Sequence, residues 1–257
     1  MRYMTDEKRK EVLELLLKDD KPTELIVQYC PQYLYKYRSG NSRDLDALER
    51  DTIWIGNATR MDDPYDSMQM LTDEFKAKML SAIFCEKKFN NEKYWRHLEP
   101  DSIQKGCFIC SFSEVNNNQD MWDRYANKEQ GICIEYRTED LFRNVGMPLL
   151  PVYYEEKKSD DEEVLSKLSS AALMYRNFLI KDKEGKNGED WYSQREWRII
   201  ARHNILGIEE SDEGKCIAVP KPTKIILGKN SSDDLKRRIA AWKEKEENKD
   251  VSIVEKK

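Results

Sequence analysis

GCFICSFSE, residues 106–114, ends in alternation: Ser111 and Ser113 fall on one side of the chain, and Cys110 and Phe112 on the other. Side chains alternate across a strand, so residues two apart share a face. The stretch reads as a strand with a polar face and an apolar face, the pattern of an antiparallel sheet with one wet side. Similar short strands lie on either side. YLYKYRS (33–39), TIWIGNA (52–58), GICIEYR (131–137), PVYY (151–154), WRIIAR (197–202), KCIAVP (215–220) and TKIILG (223–228) are rich in aromatic and β-branched residues.

Helical periodicity appears in residues 5–19, where Thr5 is placed to cap a stripe of Val12, Leu13, Leu16 and Leu17. A second short helix is expected after Pro22, and others over 67–89, 119–127, 161–181 and 231–247, with the charged tail beyond Trp242 fraying as a solvated helix. DKEGKNGED (182–190) reads as a flexible loop. Helices and strands do not alternate strictly, which argues against a doubly wound parallel sheet and for an α+β fold with mostly antiparallel sheets. The expected organisation is an N-terminal helical segment over 1–30 and one domain over 31–257.

Charged residues make up 36% of the 257-residue chain, yet it carries 6 Trp and 13 Tyr, more aromatic surface than a disordered chain holds. A net charge of −5 argues against a bulk polyelectrolyte binder of nucleic acid. Cys107 and Cys110 form a C-x-x-C with no matching second pair, and the two histidines, His97 and His203, lack zinc spacing, so neither a structural metal nor a disulfide is expected. No signal peptide or apolar run of about 18 residues appears, and a cytoplasmic protein that does not enter the membrane is expected. There is no G-x-G-x-x-G and no P-loop, so a nucleotide would have to be held in another way.

Three strands carry polar pairs at a spacing of two. Lys36 and Arg38 share a face of LYKYRS, Ser111 and Ser113 of CSFSE, and Gln194 and Glu196 of SQREWRI. The order Arg, Ser-aromatic-Ser, Gln-x-Glu resembles the Arg–Ser–Glu layout of the ADP-ribosyltransferase superfamily. The blocks LYKYRS, DDPYDS, CSFSE, MWDRYANKEQGICIEY and REWRII, over residues 33 to 228, also resemble a large bacterial family labelled as a domain of unknown function. That family usually carries Glu where this chain has Gln194; the ADP-ribosyltransferase pattern accepts either, and the position bears on the choice of acceptor.

The resemblance implies two small, mostly antiparallel sheets packed as a split sandwich with peripheral helices, and NAD in the cleft between them. A guanidinium suits phosphate, so Arg38 is expected on the pyrophosphate or ribose. Ser111 and Ser113 would support the cofactor, Tyr65 would stack on the adenosine end, and Tyr125 would line the nicotinamide pocket. Cleavage of the nicotinamide–ribose bond develops oxocarbenium character, which a carboxylate stabilises; that is the role expected of Glu196, with Gln194 directing the acceptor. The expected partners are NAD and a macromolecular acceptor, RNA, DNA or protein. A toxin or phage-defence effector restrained by an antitoxin is the biological setting the resemblance implies. Two other readings compete: a metal-dependent nuclease using Asp62, Asp63, Asp66 and Glu114, and a binding module without turnover.

Overall fold

Thr5 caps the first helix as its position ahead of the apolar stripe predicts, its hydroxyl accepting from the Lys8 amide at 3.3 Å. This computed structural model describes residues 3–61, 66, 102–157 and 170–257. Helix α1 (Asp6–Leu17) is followed by α2 (Thr23–Tyr29), β1 (Tyr33–Arg38), α3 (Ser42–Glu49) and β2 (Thr52–Asn57). Then come β3 (Cys107–Ser113), α4 (Gln119–Tyr125), β4 (Ile132–Arg137), α5 (Thr138–Val145), β5 (Leu149–Pro151) and β6 (Tyr153–Glu155). The last third holds α6 (Ser170–Leu179), β7 (Ile180–Asp182), β8 (Glu196–Arg202), β9 (Gly214–Ala218), β10 (Lys224–Leu227), α7 (Asp233–Lys243) and β11 (Ser252–Glu255). The helix expected over 67–89 and the first part, 161–169, of the one expected over 161–181 lie outside the described residues; the described part is helical as α6 up to Leu179, after which Ile180 and Lys181 pair as β7 instead. Among the described residues, no helix is long and apolar enough to cross a membrane.

Among the described residues the sheet has nine strands in the order β11-β10-β4-β1-β3-β2-β9, with β8 and then β5 branching from β3. Every pair in it is antiparallel except β10 with β11; β6 and β7 form a separate parallel pair. The α+β class and the antiparallel bias match the reading of the strands. The two sheets are unequal, however, where two small ones are expected, and β3 is the physical reason. It pairs along its whole length with β8, from Cys107↔Arg202 to Ser113↔Glu196. Its other edge is divided: β2 pairs at Phe108 and Ile109, and β1 only at Ser113. One strand thus joins what would otherwise be two smaller sheets, and between β1 and β2 its edge is forked.

The residues on either side of β3 and β8 pack in one apolar core that includes Phe112, Trp197, Ile199, Leu34 and Tyr136, and also Met4, Val12, Leu13 and Leu16 of the N-terminal segment. Met121 and Trp122 of α4 cover the opposite face of β1, against Tyr35 and Tyr37. Tyr37 and Trp122 meet edge to face at 5.3 Å.

The tail beyond Trp242 is not a fraying helix. It turns through Glu246–Asn248 and ends as β11, parallel to β10 in the register Ile225↔Ile253. Charge dominates the composition there, but Val251, Ile253 and Val254 are β-branched and β10 offers a free edge, so strand pairing wins. Lys256 then pairs with Glu129. Glu129 closes a turn in which Asn127, Lys128 and Glu129 all take positive φ, 50°, 53° and 64°. Left-handed backbone costs roughly 1–2 kcal/mol per residue, so this turn depends on its neighbours to hold it.

That turn delivers Gly131 against the end of β1. A Cβ there would lie 2.1 Å from the Arg38 carbonyl oxygen and 2.8 Å from the Ser39 carbonyl carbon. Both obstacles are backbone, which cannot rotate away. Gly131→Ala is therefore expected to push β4 and β1 apart at Arg38 and to cost about 1–3 kcal/mol, measured by urea unfolding. Wild-type stability in this variant would show that β1 can move freely here.

Candidate functional site

Where β1 and β2 diverge, no residue of either strand pairs with Cys110, Ser111 or Phe112. The gap is a cleft of about 540 Å³, within the range of small-molecule sites. Lys36 and Arg38 come from β1, Gly56 and Asn57 from β2, Ser111 and Phe112 from its floor, and Gln194 and Glu196 from the approach to β8. Arg124 and Tyr125 close it from α4. Trp191 forms part of the wall, with Lys181 Nζ 4.4 Å from its ring centre and the Arg124 guanidinium 5.1 Å away.

Gln194 and Glu196 both face the cleft, but simple strand alternation does not put them there. Residues 192–194 form a 3₁₀ turn, and Arg195 has φ 49° and ψ 51°, the left-handed region. Its side chain holds that conformation, reaching Asp6 Oδ1 at 3.0 Å and Glu114 Oε2 at 3.3 Å and lying over the Tyr192 ring. The strand proper starts at Glu196.

Glu196 is buried in a four-group ion cluster. Lys181 Nζ donates to its Oε1 at 3.0 Å and Arg198 Nε to its Oε2 at 2.7 Å. Arg198 also grips Asp66 with both terminal nitrogens, at 3.0 and 2.5 Å, and donates to the Phe178 carbonyl at 2.8 Å. Lys181 reaches Asp66 at 3.4 Å, and Gln104 donates to the Asp66 carbonyl. Two carboxylates thus balance two cations, and Arg198 is 0% exposed. Burial alone would raise the Glu196 pKa; Arg198 and Lys181 outweigh it, and the carboxyl sits below its usual 4.5. Burial opposes the charge on Arg198 too, but Asp66 and Glu196 raise its pKa.

The opposite face of β8 carries a second buried pair. Arg9 of α1 meets Glu114 at 2.6 Å and donates to the carbonyls of Val152 at 2.6 Å and Glu196 at 2.9 Å. Trp197 Nε1 donates to Glu114 at 2.8 Å. The Glu196 backbone is thereby fixed from behind, and its amide donates to the Tyr154 hydroxyl at 2.9 Å.

Of the residues expected in the site, Arg38, Ser111, Tyr125, Gln194 and Glu196 line the cleft. Ser113 does not: its hydroxyl, fully buried, donates to the Gln194 carbonyl at 2.6 Å and accepts from the Val115 amide at 3.1 Å, so it shapes the turn. Arg38 lies 3.8 Å from Asp44. Tyr65, Asp62 and Asp63 lie outside the described residues. The other two carboxylates of the metal reading are engaged elsewhere, Asp66 with Arg198 on one face of β8 and Glu114 with Arg9 on the other. No cluster of metal-binding side chains occurs among the described residues.

Arg198 is within reach of the sequence: extending the spacing of two from 194 and 196 arrives at 198. Lys181 stands at the end of an expected helix, and Asp66 in the loop of the metal reading. Nothing local links either of them to Glu196.

Residues 121–199 match the family described as Protein of unknown function (DUF2971). The matched stretch holds Gln194, Glu196 and Arg198, whereas Lys36, Arg38 and Ser111 precede it. No curated protein and no solved structure matches the chain.

Arg198→Met would leave Asp66 and Glu196 with Lys181 alone. Removing one partner of a buried ion cluster costs about 3–5 kcal/mol, and urea unfolding at neutral pH should read a loss of that order. A pH series adds a sign. A carboxyl whose folded pKa is depressed contributes stability present above its unfolded pKa and lost as pH falls through the folded value, which for Glu196 lies below 4.5. In Arg198→Met the carboxyl rises, so the acid loss should begin at higher pH than in wild type. Coincident acid profiles would show that Arg198 does not hold Glu196 ionised.

Proposed function

We propose that the forked cleft binds NAD and that the protein transfers ADP-ribose to a macromolecular acceptor, protein, RNA or DNA. One observation carries this reading. Arg38, Ser111, Tyr125, Gln194 and Glu196, spread over much of the chain, converge on a single cleft at the fork of β3. The sequence resemblance implies one shared ligand for those residues, and a shared cleft is what one ligand requires.

The chemistry follows from what each group offers. The bond between the ribose and nicotinamide breaks with its electron pair going to nicotinamide, leaving positive charge on the ribose. A bond to the acceptor forms at the same carbon as the acceptor loses a proton. Glu196, kept ionised by its neighbours, supplies carboxylate oxygens to the ribose hydroxyl and to the developing charge. Gln194 faces the same cleft and would orient the acceptor. A toxin or phage-defence role with an antitoxin partner extends the proposal on the family resemblance alone.

A second reading has its own support. Lys181 and Arg198 already balance Glu196, the arrangement of a structural ion cluster, which suits a binding module without turnover.

The two readings separate on substitution. Glu196→Gln should lower NAD consumption about 10²–10³-fold. It also leaves Lys181 with less counter-charge, so rates need to be taken per folded molecule. The pair Glu196→Gln with Lys181→Met restores charge balance and should recover stability without recovering turnover. Full turnover in Glu196→Gln would remove Glu196 from the chemistry. If wild type consumes no NAD yet its melting temperature rises with NAD, the binding module stands instead. Labelled NAD incubated with lysate, then fractionated into protein and nucleic acid, identifies the acceptor class.

A further inference from the structure

Among the described residues, five cations line the cleft: Lys36, Arg38, Arg60, Arg124 and Lys181. Four have a carboxylate within salt-bridge reach. Arg38 lies 3.8 Å from Asp44, Arg60 2.7 Å from Glu213, Arg124 2.9 Å from Asp120, and Lys181 3.0 Å from Glu196. Lys36 has none. Its ammonium donates to the Ser111 carbonyl at 2.6 Å and lies 5.8 Å from the Phe112 ring centre.

An ammonium removed from bulk water without a counter-charge is costly, and proteins ordinarily pair it. Loss of hydration lowers the Lys36 pKa; Cys110 and Glu196 oppose that shift and Arg38 adds to it. Glu196 acts on Lys36 only at longer range, so among the described residues the ammonium has no carboxylate in direct contact. A second group points the same way: the Gln194 side chain is 1% exposed, lines the cleft, and its Nε2 is buried without a hydrogen-bond partner. A buried amide nitrogen with no acceptor is likewise uncommon. Both unmet demands are for an acceptor oxygen, and the ammonium asks for one that carries negative charge.

We propose that Lys36, seated on the Ser111 carbonyl in the fork of β3, is the principal anchor for the diphosphate of the ligand, with the Gln194 amide as a further donor. This rests on the NAD reading for the identity of the ligand; it moves the phosphate role from Arg38, which Asp44 already partly neutralises, to Lys36, and it gives the Gln194 amide to the ligand in place of the acceptor-orienting role. A phosphate oxygen supplies the directly contacting negative charge that no described residue supplies.

The test is calorimetry with NAD, ADP-ribose, inorganic diphosphate and nicotinamide riboside, which carries no phosphate. Lys36→Met should weaken NAD, ADP-ribose and inorganic diphosphate about 10- to 100-fold, the loss of one charge-assisted contact, and leave nicotinamide riboside unchanged. Lys36→Arg, which keeps the charge, should retain most of the affinity and serves if the methionine variant does not fold. Equal NAD affinity in wild type and Lys36→Met, or equal losses for NAD and nicotinamide riboside, would overturn the assignment and leave the NAD reading intact. Lys36-dependent binding of inorganic diphosphate without any binding of NAD would uphold the anchor and defeat the NAD reading. No binding of any probe by wild type would defeat both.

Discussion

A strand has two edges, and a residue can ladder with one neighbour on each. β3 gives one edge wholly to β8 and divides the other between β2 at Phe108 and Ile109 and β1 at Ser113. The middle of that edge must be satisfied in another way, because buried backbone groups are rarely left unpaired. Lys36 does so at the Ser111 carbonyl. The cleft, its floor and the placement of Lys36 all follow from this division of one strand.

β8 is held by charge on both faces. On the cleft side Arg198 and Lys181 neutralise Glu196 and Asp66; on the core side Arg9 neutralises Glu114 and grips the Glu196 carbonyl. Buried ion pairs contribute little net stability against apolar alternatives of the same shape, since desolvation consumes most of the attraction. What they supply here is position. Arg195 takes a left-handed conformation between Gln194 and Glu196, and the carboxylates of Asp6 and Glu114 hold its guanidinium away from the cleft. The turn thus presents two polar side chains to the cleft while Trp197 stays in the core. The N-terminal helix is part of this device, because Asp6 and Arg9 both belong to α1.

Local pattern makes a large part of this visible. The alternation in CSFSE and REWRII places Ser111 and Glu196 on one side and Phe112 and Trp197 on the other, and the register Ser111↔Arg198, Ser113↔Glu196 agrees. Thr5 is legible as a cap because a short polar side chain ahead of an apolar stripe has a specific backbone amide to accept from. Where composition stands in for pattern the expectation fails: the tail looks charged, yet Ile253 and Val254 pair with β10 regardless. Ser113 shows the limit of parity, which fixes a face but not whether that face is open at a given residue.

The sequence by itself determined most of the strands of the large sheet, which residues within them share a face, and the set of polar side chains worth watching. These depend on periods of two and of about 3.6, which a few neighbouring residues are enough to express. Only the tertiary structure decided that Arg198 meets Asp66, 132 residues away, that Arg9 meets the Glu196 carbonyl across 187, and that Lys36 alone among the described lining cations keeps no carboxylate. Whether a charge is paired depends on what the fold brings within about 4 Å of it. No local period carries that information, because it is created when distant strands share one edge.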